Sequence, residues 1–433
     1  MDETIYVKQA PGFLVKGKEG HVYLLKKSLY GLKQSPRNWN IMLTKFLTDE
    51  VSLIQSQIDP CLFYHKGDEG VVLMCVYVDD IVLTGSNTKL LGVIKKKIMN
   101  DFASKDLGEV HQLLGLVVDR DMEAGLMRIH QQPYVKKLLE DYKEYLVGEK
   151  EVSTPATQDT YTRYVDSVFR KDERTSDFSY REAIGALLFL SVSTRPDISN
   201  IVRFLSGFVS NWTDFHVKCL KRILKYLEGT SELGLYYERD KGDEINSNVS
   251  SLGVDELFKE LSTMSDASWA DNYADATSSS GLTVMLYGNL IAWKSAKQRV
   301  VARSSMESEY IAMATAVDEI QVCMNILLEI GIGSDEQSML YVDFKRKKEN
   351  LIGNVTQAVN LFGDNQAAIC VGNSTAATKR SRIINVKFHT VKNAVHSGMV
   401  KLKYVKSQDN LADIFTKCLG GIDFVRLRGK LIG

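Results

Sequence analysis

The sequence predicts a mixed α/β protein of several domains, and three observations carry that reading. The chain has 433 residues, 44% hydrophobic and 25% charged, with only six prolines. That is more than one core holds at ~100–200 residues per domain. Two polar stretches, Glu149–Asp177 and Asp240–Ser251, are rich in Thr, Ser, Asp or Asn and read as linkers. Beyond the second, three consecutive strand patterns are followed by helix, strand, helix, strand and helix, the order of a mixed sheet covered by helices. The expected divisions are 1–150, 151–240 and 255–425.

In the first division, a helical pattern covers Pro36–Leu47 and another covers Lys89–Phe102. Between them, the β-branched runs Val71–Val78 and Ile81–Thr84 meet at Asp79-Asp80, which reads as a tight hairpin. The second division is mostly helical from Tyr180 to Gly229. Val217, Leu220, Leu224 and Leu227 recur there at helical spacing and leave Lys218, Lys221, Arg222 and Lys225 on the other side. In the third, a short run ends at Ser265-Asp266 and strands follow at Gly281–Leu286 and Leu290–Trp293. A long helix is expected over Ser304–Gly331, a strand over Ala358–Phe362 and a helix over Asn365–Val371. A last strand, Met399–Val405, leads into a helix over Asn410–Cys418. There is no internal repeat.

Composition excludes disorder, collagen-like repeats and low complexity. Apolar stretches such as Ala186–Val192 fall short of the ~20 residues of a membrane span, and no charged-then-apolar leader follows Met1. Six scattered cysteines form no CxxC pair. That argues against a zinc site or disulfide framework and for a reducing, intracellular setting. The absence of GxGxxG and GxxxxGK[ST] loops argues against a small-molecule nucleotide cofactor.

Lys+Arg and Asp+Glu both number 54, so the formal net charge is zero, but the charge is unevenly spread. Between Asp364 and Asp409 lie eight basic residues and no acid, among them Lys379, Arg380, Arg382 and Lys387. The stretch from Asp275 to Glu307 is also free of acids and holds Lys294, Lys297, Arg299 and Arg303. Charge runs are ordinarily solvated faces. Flanking isolated carboxylates, these eight become candidate phosphate contacts.

Tyr77-Val78-Asp79-Asp80 is the first chemical constellation. Two adjacent carboxylates at a strand turn repel each other unless a cation sits beside them, and Mg²⁺ does this in phosphoryl transfer. Together with Ser28-Leu29-Tyr30-Gly31-Leu32-Lys33-Gln34-Ser35-Pro36-Arg37, this tetrapeptide resembles the reverse transcriptase of copia-type LTR retrotransposons. Tyr180–Gly185, Ser193–Ile198 and Leu220–Leu227 resemble the connecting region of the same Pol polyprotein. Ser265-Asp266-Ala267, Ser304–Tyr310, Gly363–Gln366 and Leu411–Lys417 resemble its ribonuclease H domain.

The resemblance implies a reverse transcriptase palm and thumb, a helical connection and a ribonuclease H-like mixed α/β domain. For the polymerase it implies Asp79 and Asp80 as catalytic residues, with Asp79 a metal ligand. In the family a third aspartate lies in a motif just before the segment matching Asp2–Tyr6. This chain begins after it, so no polymerase activity is expected of the chain alone. For the ribonuclease H it implies Asp266, Glu307, Asp364 and Asp413 as catalytic, metal-binding acids holding two Mg²⁺. Their spacings, 41, 57 and 49 residues, would single out none of them. Glu307 shares a helical face with Ile311 and Ala314 and is expected to point at the sheet, with Glu309 pointing elsewhere as a structural residue.

The implied partner is an RNA/DNA hybrid, read by shape and 2′-hydroxyls, beside other parts of Pol. Trp269 and Trp293 are expected in the core, and His389 and His396 as ordinary surface histidines. Ser268, Ile383 and Asn385 stand where the family usually has an acid, a His and an Asp. Two stretches, Gly242–Met264 and Ser334–Thr356, have no family counterpart. The alternative to an active nuclease is a non-catalytic relic that at most binds nucleic acid.

Overall fold

The computed structural model describes residues 3–239, 261–273, 275–330, 358–374 and 385–433. Among them are twelve α-helices and four sheets. Contacts divide the chain into two compact units: Met1–Gly108 with the end of one long helix from Met324, and Glu109–Cys323 with the remainder.

In the first unit, β1 (Tyr6–Lys8) pairs with β2 (Val22–Leu24). After α1 (Ser35–Asp49) comes an antiparallel meander of β3 (Ile54–Gln55), β4 (Leu62–Gly67), β5 (Gly70–Tyr77) and β6 (Asp80–Gly85). It ends in α2 (Thr88–Asp101), whose first turn is capped by the Asn87 side chain accepting from the Lys89 and Leu90 amides. Leu43 and Leu47 of α1 and Ile94 and Ile98 of α2 are each four residues apart, one helical turn. They close over Phe63, Val72 and Met74 of the sheet.

The second unit opens with β7 (Gln112–Leu113), β8 (Leu116–Asp121) and β9 (Leu126–His130). Helices α3 (Gln132–Asp141), α4 (Lys143–Leu146), α5 (Thr160–Phe169), α6 (Tyr180–Ser193), α7 (Ser199–Ser206) and α8 (Asp214–Glu228) follow. Next, β10 (Leu235–Glu238) returns to pair with β9. That pairing moves the first division to Gly108 rather than residue 150, because residues 109–150 are stitched to the helices by a strand over 100 positions away. The predicted break near residue 240 separates no cores either. Leu187, Ile201, Leu220 and Leu224 share one apolar cluster with Met264, Leu290, Phe362 and Phe415.

The remaining sheet contains β11 (Ser262–Asn272), β12 (Thr277–Leu286), β13 (Asn289–Lys297), β14 (Val359–Gly363) and β15 (Val400–Tyr404), in the order β13-β12-β11-β14-β15. The first three are antiparallel neighbours, and β14 and β15 join parallel. With α9 (Ser305–Ile330), α10 (Gln366–Asn373), α11 (Asn385–His396) and α12 (Gly421–Leu431), this is a mixed α/β arrangement, as expected. Ser262–Met264 belong to β11, so that end of the unplaced stretch is core strand; 242–260 and 334–356 lie outside the described residues.

Two further differences from the sequence reading have local causes. The helix expected over Asn410–Cys418 is a 3-10 turn, Leu411–Phe415: the Asp413 and Thr416 amides bond back three residues to the Asn410 and Asp413 carbonyls at 3.2 and 3.1 Å, and the Asn410 side chain caps the turn by accepting from the Ala412 amide at 3.1 Å. The 26 residues of α9 are long and apolar enough to cross a bilayer. Its first turns are nonetheless core, with Tyr310, Ala312, Met313 and Ala316 fully buried.

The Ser193–Ile198 motif is a structural keystone. Arg195 is buried and donates from Nε and an η nitrogen to Asp197 at 2.9 and 2.8 Å, and to the Thr230 carbonyl at 2.8 Å. Tyr226 donates to the same Asp197 at 2.5 Å. A fully buried guanidinium is tolerated because the carboxylate and carbonyl replace its lost hydration.

Candidate catalytic acid cluster

The carboxyl end of β14 and the middle of β11, just past the end of their parallel pairing, create the site. These strands pair in parallel with Met264 opposite Phe362, and the same offset of 98 places Asp266 beside Asp364. Parallel strands open a crevice at their carboxyl ends, and α9 brings Glu309 into it. One carboxylate oxygen from each of Asp266, Glu309 and Asp364 lies within 4.8 Å of the other two. This is the only such trio among the described residues.

The 3-10 turn delivers the fourth acid. Asn410 donates to the Ser265 carbonyl at 3.0 Å, fastening the turn to β11 one residue before Asp266. Gly281, opposite Asp266 on β12, makes room for it. A Cβ there would sit 2.7 Å from the Ala412 carbonyl and 2.8 Å from Phe415 and Thr416. Thr416 donates its hydroxyl to Asp266. The Lys417 ammonium then bridges Asp266 at 3.1 Å and Asp413 at 3.0 Å. Ser407 donates to Asp364 at 2.6 Å.

The electrostatics follow from this crowding. Burial, then the charges of Asp266 and Asp364, push the Glu309 carboxyl well above the usual carboxylate range. Burial and Asp266 do the same to Asp413. Burial opposes the Lys417 charge, but Asp266 and Asp413 outweigh it and raise its pKa. One ammonium does not balance four carboxylates, which is why two of these carboxyls favour the protonated form, and Glu309 Oε2 is buried without a hydrogen-bond partner among the described residues. All the donors are hard oxygens, so the set fits a hard divalent cation such as Mg²⁺.

The two glutamates lie the other way round from the expectation. Glu309 is in the cluster. Glu307 turns back to accept from the Arg303 amide at 2.9 Å, while its own amide donates to Ser304 Oγ at 3.2 Å. That is helix-capping chemistry, and the sequence signal for it is Ser304-x-x-Glu307. Apolar neighbours of Glu307 misled because α9 is buried almost all round from Ser308 to Ala314, so Ile311 and Ala314 do not mark the sheet side. Lys417, Thr416 and Asn410 also went unselected, and only the Leu411–Lys417 motif pointed near them.

Asp79 and Asp80 are exposed on the β5–β6 hairpin, where Tyr77 pairs with Asp80 and Val78-Asp79 form the turn. Val78 holds φ at 57°, a left-handed conformation unfavourable for a β-branched residue. The SLYGLKQSPRNW segment holds it there. Trp39 donates its indole N–H to the Val78 carbonyl at 2.7 Å, and Tyr30 donates to Asp79 at 3.0 Å. No third carboxylate joins them among the described residues.

Of the basic candidates, Lys294 pairs with Glu319 at 2.8 Å and Lys297 with Asp275 at 2.6 Å, both at the surface. Arg299 and Arg303 are exposed. Lys379, Arg380 and Arg382 lie outside the described residues, and Lys387 falls in the first turn of α11. Trp269 is half-exposed and donates to the Ala302 carbonyl at 2.9 Å, in place of the expected core position. Trp293 packs against the core and donates to the Ser191 carbonyl at 2.8 Å.

Residues 1–158 match the family described as reverse transcriptase (RNA-dependent DNA polymerase). The Retrovirus-related Pol polyprotein from transposon RE1 of Arabidopsis thaliana is 32% identical over 431 residues, which is 100% of this chain and 26% of that polyprotein. The chain belongs to the copia-type retrotransposon Pol family. The corresponding polyprotein from transposon TNT 1-94 of Nicotiana tabacum is 29% identical, covering 96% of this chain and 28% of its own length. The chain thus spans about a quarter of the length of these Pol relatives. Among solved structures, a ribonuclease H1 isolated from compost overlaps at TM-score 0.25 and 11% identity, covering 37% of this chain and 94% of its own.

Proposed function

We propose that this Pol segment hydrolyses the RNA strand of RNA/DNA hybrids endonucleolytically in the presence of Mg²⁺. The supporting observation is the convergence of Asp266, Glu309 and Asp364 on one buried point, with Asp413 tied to it through Lys417. These four acids would hold the metal. When bound, Mg²⁺ supplies activation of a water and stabilisation of the leaving 3′ oxygen, so no Ser, Cys or His nucleophile is required.

The chain's own groups set the geometry. Thr416 and Lys417 hold both oxygens of Asp266, and Ser407 fixes one oxygen of Asp364. Lys417 lowers the net charge that an incoming phosphodiester must approach. Exposed Arg299 and Arg303 would meet its backbone. The Asp79–Asp80 turn belongs, in this reading, to a polymerase half that works only with other parts of Pol.

The test is cleavage of an end-labelled hybrid by the purified chain in Mg²⁺, with Asp364→Asn and Glu309→Gln beside it. Cutting of the RNA strand by wild type alone supports the assignment. A folded wild-type chain that binds hybrid in a salt-dependent way and never cuts it is the relic instead.

A further inference from the structure

We propose that the connecting helices carry a second, separate site: a pocket for a phosphate group borne by a nucleotide, formed by Arg163, Lys218 and Arg222. The three line a cavity of about 190 Å³ between the first turn of α5 and the second turn of α8. At ~30 Å³ per water this holds about six waters, ample for a phosphate and part of its ester. One wall is apolar, made by Ala156, Ile201 and Phe215, which suits the sugar or base attached to a phosphate better than a bare ion.

The charges explain why the cavity favours an anion. Lys218 and Arg222 stand one helical turn apart on the polar side of α8, a like-charged pair that destabilises a helix unless something offsets it. Arg222 has an η nitrogen on Thr154 Oγ1 at 2.9 Å, while its Nε is buried with no partner among the described residues. Burial, together with the nearby Arg163 charge, lowers the pKa of Arg222, although Asp159 and Cys219 work the other way. Glu149 is the only acid on the lining and is exposed. The start of α5 adds the positive end of its dipole, and Thr160 of α5 and Thr157 just before it line the same space. None of the four clustered acids lines this cavity, and the proposal does not depend on their activity.

The test uses the full chain in EDTA at fixed ionic strength, so that acids and divalent metal contribute nothing. Binding is measured for a 5′-phosphorylated single-stranded octanucleotide, its 5′-hydroxyl counterpart and adenosine 5′-monophosphate. The expected result is at least tenfold tighter binding of the phosphorylated strand, a preference lost in Arg222→Gln. Arg222 also braces Thr154, so the exposed double variant Arg163→Gln/Lys218→Gln is run in parallel and must lose the preference too. If the mononucleotide binds as tightly as the phosphorylated strand, the site stands and its ligand is a free nucleotide. Equal binding of the two strands with none of the mononucleotide overturns it. So does a preference that survives the double variant.

Discussion

Both compact units carry paired acids, and they present them in opposite ways. In the first, Asp79 and Asp80 are neighbours in sequence, exposed on a strained hairpin and steadied by Tyr30 and Trp39. In the second, Asp266, Glu309, Asp364 and Asp413 are far apart in sequence and meet where two parallel strands, a helix and a 3-10 turn converge. The surroundings differ as well. The first unit exposes Phe13, Tyr30, Ile41 and Tyr77, whereas the second encloses its acids with a continuous apolar core beneath them. Adjacency along the chain creates repulsion that water and metal must relieve. Convergence in a sheet creates repulsion that the fold itself sustains, using the stability of everything around it.

The largest effect that would break this contrast lies in cleavage. Asp364→Asn and Glu309→Gln should each reduce the hybrid cleavage rate by a thousandfold or more, while Asp79→Asn and Glu307→Gln should leave it within about threefold. A hybrid cleavage assay with all four variants decides it, and comparable losses for Glu307→Gln would return that residue to the site.

Next in size is the keystone under the second unit. Arg195→Leu leaves the buried Asp197 without its counter-ion and should cost about 3–5 kcal/mol, read as a lower urea midpoint of the full chain. A smaller loss would mean that water or Tyr226 takes over the carboxylate. Gly281→Ala should follow at about 1–3 kcal/mol from overpacking against Ala412, Phe415 and Thr416. Because the turn it displaces carries Asp413 and Lys417, Mg²⁺ binding followed by calorimetry should weaken as well.

The smallest effect is a pH dependence confined to the helices. Burial pulls the His216 pKa down from 6.5 to about 4. The unfolded chain therefore binds more protons than the folded one between those values. His216 contributes stability that is intact above pH 6.5 and is lost as pH falls towards 4. His216→Gln keeps an acceptor for the Thr213 amide at the helix cap and should remove up to about one proton's worth of slope, measurable as urea midpoints across that range.

Much of this was legible in the sequence because it depends on short-range rules. The runs on either side of Asp79-Asp80 specified a hairpin, and the strand pattern before Asp364 put that acid at a strand end, whereas the run expected to stop at Asp266 continues to Asn272 and leaves that acid mid-strand. The choice between Glu307 and Glu309 was not legible. The two lie about 200° apart around a helix, and when every side of that helix is buried its apolar pattern holds no phase. Only the docking of α9 on the sheet fixes which glutamate faces Asp266. Lys417 and Arg195 are likewise unremarkable as letters. What selects them is the carboxylate that the folded chain brings to 3.1 Å of one and 2.8 Å of the other. The sequence by itself determined most of the elements, their order and the pool of acids. The tertiary structure decided which acids share a site, because repulsion between charges and the cost of burying them act through space, and distance in space is what folding supplies.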